Sequence, residues 1–279
     1  MATQTKWSIF VSSRSTRLAL GTMIVVVLVA ILAPLLATHN PIQLDSSVRL
    51  QGTSSEHWLG TDAFGRDLYS RVIYGSRISL AVGAGALIIS ILFGVLFGAL
   101  AGFFRRLDGV IMRVMDGIMA IPEVLLAIAL VSVSGSSLTT VVVAISVPQV
   151  PRVTRVVRGI VLSVREEPYV EAAITLGTAP MRVLWRHMLP STVAPLIVQG
   201  TYIFAAAVMT EAILSFLGAG IPPETPSWGN IIAEGRIYFQ LLPGLIFYPG
   251  AVLSLTILAI NMIGDAARDA LDPKLEARS

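Results

Sequence analysis

Few side chains in this sequence have the type and spacing to do chemistry. Two carboxylates, Glu123 and Glu211, lie inside or beside apolar runs, and a charge in lipid is costly enough to mark a contact with something polar. Glu123 follows Pro122 near the start of its run. Glu211 stands about 20 residues into another, ~30 Å along at a rise of about 1.5 Å per residue, so both are expected near an interface. Pro148 interrupts a third run and is a candidate hinge. These three are the candidates for a pathway or gate. The remaining feature is "VEAAITLGTAPMRVLWRHMLP", residues 170 to 190, a polar, helix-patterned stretch with two arginines and a histidine.

Much chemistry is excluded. The chain has no cysteine, so disulfides, thiolate nucleophiles and zinc sites built on thiolates are ruled out. His39, His57 and His187 are far apart in sequence, which argues against a histidine-rich metal site. A P-loop needs a glycine-rich turn ending in lysine, and neither Lys6 nor Lys274 follows one. The serine-rich "SVSGSSLTT" has no His or Asp beside it. No catalytic, cofactor-binding or metal-ligating residue is expected, and the chain does not read as an enzyme.

The elements that must position these residues are membrane spans. Of 279 residues, 54% are hydrophobic and 13% charged, about half the charge of a soluble domain. Six apolar runs are long enough or nearly so: 18–37, 78–104, about 118–134, about 138–150, about 192–217 and about 241–263. The first has too long an apolar core for a cleaved signal and no clear cleavage site, so it is read as a retained span. Six spans place both termini on one side. Fifteen of the 20 basic residues fall on that side, which the positive-inside rule makes cytoplasmic. That count puts Arg152, Arg155 and Arg158 in the loop between spans four and five.

Within 165–190, Glu166, Glu167 and Pro168 suit the first turn of a helix and Gly177 its stop. Thr178 is placed to cap a second helix, with Pro180 in its first turn. Met181, Leu184, Trp185, Met188 and Leu189 then form one apolar stripe, Arg182 and Arg186 lie on another face, and Pro190 ends the element. Such a unit is either a cap on the span ends or a docking element for a soluble partner. In the outer segment, Leu68, Tyr69, Val72 and Ile73 share a stripe that Arg66, Asp67, Ser70 and Arg71 avoid. That pattern reads as an interfacial helix, either a docking surface or a collar. Gly94, Gly98 and Gly102, four apart, allow close helix approach, within one subunit or between two.

Glu171, Ala172 and Ala173, then Gly177 after three residues, then Leu189-Pro190, resemble the EAA loop of ABC importer permeases. His187 stands where that pattern has isoleucine. Residues 57–80, 211–229 and 264–273 resemble the C-type permease subunit of the dipeptide, oligopeptide and nickel importer branch. The resemblance implies an all-α polytopic membrane protein with the six-helix type I ABC importer permease fold, in the inner membrane. It implies as partners a B-type permease, two ATPase subunits and an extracytoplasmic solute-binding protein, with no nucleic acid. ATP and Mg would be held by the ATPases, and no cofactor by this chain. Glu171, Ala172, Ala173, Gly177, Leu189 and Pro190 would be the ATPase-coupling residues, with Glu171 aimed at an arginine of the ATPase. Di- or oligopeptides are the expected cargo, with nickel, glutathione, opines and oligosaccharides as alternatives. An ATP-independent channel or secondary transporter is the rival class; span centres nearly free of charge and the lack of a repeat speak against it. The chain divides into a tail (1–17), a first helix (18–37), an external loop with an interfacial helix (38–77), a five-helix core (78–264) holding the coupling loop (165–190), and a second tail (265–279).

Overall fold

The structure, a computed structural model, describes residues 13–271, and every named element among them is helical. Helix α1 spans Arg14–Leu36 and α2 Leu68–Phe103. Then come α3 (Arg105–Met119), α4 (Glu123–Ser134), α5 (Leu138–Ser146) and α6 (Val150–Arg165). A helical turn holds α7 (Pro168–Thr175) and α8 (Pro180–Val183). A π turn (Leu184–Met188) and a 3-10 turn (Leu189–Thr192) lead from α8 into α9 (Val193–Phe216). The short α10 (Trp228–Gly235) and the long α11 (Gly244–Leu271) complete the fold.

Four stretches are long and apolar enough to cross a bilayer: Arg14–Leu36, Leu68–Phe103, Pro180–Phe216 and Gly244–Leu271. Two bent pairs, α3 with α4 at 90° and α5 with α6 at 42°, bring the total to six when each is one span. The tails expected at 1–17 and 265–279 lie partly outside the described residues.

Two sequence expectations are corrected here. The third run does not begin a straight helix at 118: the chain turns between Met119 and Glu123, at Pro122, and only the twelve residues of α4 follow. The fourth run does not end at Val150. It bends at Pro148 and resumes as α6, with Pro151 in the first turn, where its missing N–H leaves no helical bond unmade. Arg152, Arg155 and Arg158 are therefore helical rather than loop residues. Three arginines lower the apolarity of that stretch enough to hide a helix whose other face, Val153, Val157 and Val161, is fully buried.

Those valines explain the glycine seam. Helices α2 and α6 run parallel, with Gly94, Gly98 and Gly102 facing Val153, Val157 and Val161 in turn. A Cβ on Gly98 would stand 2.7 Å from the Cβ of Val157, and one on Gly102 2.8 Å from that of Val161. The close approach is thus within the chain. The same valines join Leu196 and Ile203 of α9 in one apolar core.

At the opposite end, α2 is continuous from its N-cap, Asp67, whose carboxylate accepts from the Ser70 N–H at 2.8 Å. The expected interfacial helix is simply the first turns of α2. Its polar stripe does not face out: Arg71, Ser70, Asp67 and Arg66 are all buried. Arg66 and Arg71 each reach Asp62 at 2.6 Å, and they meet Glu234 of α10 at 2.5 and 3.1 Å. This ion cluster and the indole N–H of Trp228, donating to the Val72 carbonyl at 3.0 Å, fasten α10 to α2.

Candidate functional site

The stretch 165–190 has two faces. Val170, Ala173, Val183, Leu184, Met188 and Leu189 are buried, most of them in the core shared with α6 and α9. Tyr169, Ile174, Leu176, Met181 and Trp185 are exposed, Leu176 at 86% and Trp185 at 65%. The expected stripe is therefore split, with Met181 and Trp185 outward and Leu184, Met188 and Leu189 inward. Through the π turn, Leu184–Met188, the buried side runs from Leu184 to Met188 and Leu189 while Trp185 stays outward. Thr178 does not cap the second helix; the N-cap is Ala179, without a side-chain bond.

Glu167 begins α7, and Glu171 lies in its first turn, where a carboxylate suits the helix dipole. Glu171 and Ala172 are exposed, Ala173 is buried, and Pro190 is exposed beside buried Leu189. Gly177 has φ +78°, and nothing lies within 4 Å of an added Cβ. Its need is conformational: the turn between α7 and α8 requires the left-handed region that glycine enters freely.

The three pathway candidates separate. Glu211 is fully buried near the end of α9, where its Oε1 accepts from Ser215 and Ser227 at 2.8 Å each. Ser227 also caps α10 through the Asn230 N–H, so Glu211 ties the end of α9 to the start of α10. Gly229 leaves it room: an added Cβ would lie 3.0 Å from both carboxylate oxygens. Glu123 and Pro148, by contrast, mark the two helix breaks, which Gln149, next to Pro148, joins. Glu123 accepts from the Gln149 amide at 2.8 Å and from Arg152 at 3.2 Å.

That contact is the first rung of a ladder the sequence reading missed. Arg155 reaches Asp116 at 2.6 Å, and Arg158 grips Asp108 with two nitrogens at 2.5 and 2.6 Å. The three-residue spacing of these arginines in "RVTRVVR" was the available signal. Outside the spans, burial pushes the Glu234 carboxyl above its ordinary value, while Arg71 and Arg66 pull it back. The fold also brings His39 and His57 together, with ring centroids 4.7 Å apart, so separation in sequence did not keep them apart.

A chain with a two-faced helical turn, six candidate spans and no P-loop fits one comparison directly. The profile of the family described as binding-protein-dependent transport system inner membrane component matches residues 71–277. The chain belongs to this family. It is an inner-membrane permease of an ABC importer, not an enzyme, and works with ATPase and binding-protein partners; ATP hydrolysis lies on partner subunits.

Curated relatives agree. The permease is 49% identical over 251 residues to a probable peptide ABC transporter permease protein of Sinorhizobium fredii, covering 90% of this chain and 86% of that one. It is 41% identical over 272 residues to the dipeptide transport system permease protein DppC of Alkalihalophilus pseudofirmus, covering 96% and 90%. A glutathione transport system permease protein, GsiD of Pectobacterium atrosepticum, is 40% identical over 228 residues, covering 81% and 76%. In fold, the permease resembles a chain of the inward-facing MetNI methionine ABC transporter, with TM-score 0.60 and 19% identity over 74% of this chain and 98% of that one.

Proposed function

We propose that this permease imports di- and oligopeptides, paired with a B-type permease and driven by two ATPase subunits that dock on residues 165–190. One observation carries the docking role. The turn buries one apolar face in its own chain and leaves Tyr169, Ile174, Leu176, Met181 and Trp185 exposed on the other. A soluble partner that covers this face removes it from water. Glu171, exposed in the first turn of α7, is the charged contact, Ala172 and Ala173 allow close approach, Gly177 forms the turn, and Leu189-Pro190 close the element. Both termini and this turn are cytoplasmic in this reading, in line with Arg105, Arg106, Arg165, Arg182 and Arg186. ATP and Mg are held by the ATPases, and this chain needs no cofactor.

The peptide cargo rests on the relatives named for peptide and dipeptide transport. Glutathione, itself a tripeptide, is the second reading, favoured by the GsiD relative. Glu123 with Gln149 and Arg152, at the breaks of both bent spans, is the proposed polar point on the pathway. The test is the four-subunit complex in lipid vesicles with its binding protein. Dipeptides are expected to stimulate ATP hydrolysis and uptake, with glutathione weaker. Solute movement by this chain alone, indifferent to ATP, overturns the importer reading; stimulation by glutathione only overturns the cargo.

A further inference from the structure

The outer collar brings two imidazoles and a carboxylate to one point from three separate segments. His39 follows α1, His57 lies in the loop between α1 and α2, and Asp67 caps α2. The Nδ1 atoms of His57 and His39 lie 2.9 and 3.9 Å from the same oxygen, Asp67 Oδ1. One donor atom from each residue falls within a set no wider than 4.8 Å. The backbones are already anchored. The His39 N–H donates to Ser70 Oγ at 3.1 Å, the His57 N–H to Ser54 Oγ at 2.9 Å, and Asp67 Oδ2 accepts from the Ser70 N–H at 2.8 Å.

Ordinary packing explains His57, a buried ring bonded to a buried carboxylate. The His39 Nδ1 is held by Thr38 Oγ1 at 3.0 Å, which keeps this second imidazole 3.9 Å from the same carboxylate oxygen. Nitrogen and oxygen donors bind zinc at about 2.0–2.2 Å, so neighbouring donors on a tetrahedral ion sit about 3.4 Å apart. The observed 2.9 and 3.9 Å lie on either side of that spacing. Two imidazoles also select against calcium and magnesium, which favour all-oxygen sites, and towards first-row transition ions.

We infer that His39, His57 and Asp67 form a binding site for one divalent transition ion of zinc type on the external surface. The side chain of His39 is 36% exposed, which leaves the ion a route in and a coordination position open to water. On binding, the ion takes the place of the proton shared by His57 Nδ1 and Asp67 Oδ1. A neutral His57 ring shifts that proton to Nε2, and a doubly protonated ring releases it to solvent, so acid competes with metal. The bound ion clips the chain after α1 to the start of α2. The site is distinct from the 165–190 turn and from Glu123, and does not depend on what the permease transports.

The test uses the assembled complex, stripped with chelator, dialysed and titrated with zinc alone, then with cobalt alone as a spectroscopic probe. One equivalent is expected to bind per permease, with cobalt giving visible bands of a low-coordinate nitrogen and oxygen site. His39→Ala alters a partly exposed ring and leaves the helices intact; it should weaken binding by ~10-fold to ~100-fold. His39→Cys, which restores a ligand, should recover most of it. Absence of a stoichiometric site in the unaltered complex overturns the proposal, as does equal affinity in the His39→Ala complex at unchanged assembly.

Discussion

Arg158 holds Asp108 with two guanidinium nitrogens, at 2.5 and 2.6 Å, across fifty residues of sequence. The pair is about a third exposed on each side, so its own strength is limited. A double-mutant cycle on Arg158→Ala and Asp108→Ala should give a coupling of about 0.2–1 kcal/mol by denaturation in detergent. Replacing Arg155 and Arg158 together should free α3 from α6, which faster hydrogen exchange over 105–119 would register. Unchanged exchange there means that apolar packing, not the ladder, holds α3.

Gly98 should tolerate no side chain of size. Leucine there meets the Cβ of Val157 and the Thr154 carbonyl, both 2.7 Å from its own Cβ, and the carbonyl is backbone that cannot rotate away. Overpacking of this kind costs about 1–3 kcal/mol or more. Gly98→Leu is expected to lower the thermal midpoint and the yield of assembled complex. Gly21→Ala, with nothing within 4 Å, should change neither.

For Gly177 the outcome depends on backbone preference, not room. Its φ of +78° costs a residue with a Cβ about 1–2 kcal/mol, and a β-branched one more. Gly177→Val should keep membrane levels near normal yet lose most ATP-coupled uptake, whereas Gly177→Asn should retain a larger share. Full uptake by the valine variant would show that the turn need not hold this shape.

Glu171 is tested through association. Glu171→Ala should weaken capture of the ATPase subunits by the permease several-fold, and the loss should be smaller at high salt, where the native contact is screened as well. Unaltered capture and uptake remove the residue from the interface.

The buried ion cluster around Arg71 should be less forgiving than the arginine ladder of α6. Arg71 is buried and faces both Asp62 and Glu234. Removing one partner from such a set costs about 3–5 kcal/mol, because the others stay buried and uncompensated. Arg71→Met should therefore prevent accumulation in the membrane. Arg71→Met with Glu234→Gln, which leaves Arg66 paired with Asp62, should recover part of it.

The apolar stretches and the two-part helical turn were legible in the sequence, because apolar length and the Pro168, Gly177 and Pro180 punctuation act locally. The bends were less so. A proline states that a helix is disturbed, but not whether it ends, as expected at Val150, or continues at 42° as α6. The direction of polar side chains was least legible. Arg66 and Arg71 looked like surface residues because their carboxylate partners, above all Glu234, are remote in sequence. The split between Leu184 and Trp185 was not legible because an apolar stripe does not say which of its edges the chain's own helices cover.

From Pro180 to Phe216 the chain stays helical for 37 residues, with no loop between the exposed turn and the span. At a helical rise this is a shaft of about 55 Å. One end carries Trp185, outside the chain's own core; the other carries Glu211, locked to Ser227. The only departures from α geometry along it are the π turn and the 3-10 turn at 184–192, so any movement of the indole face reaches Glu211 through those two turns.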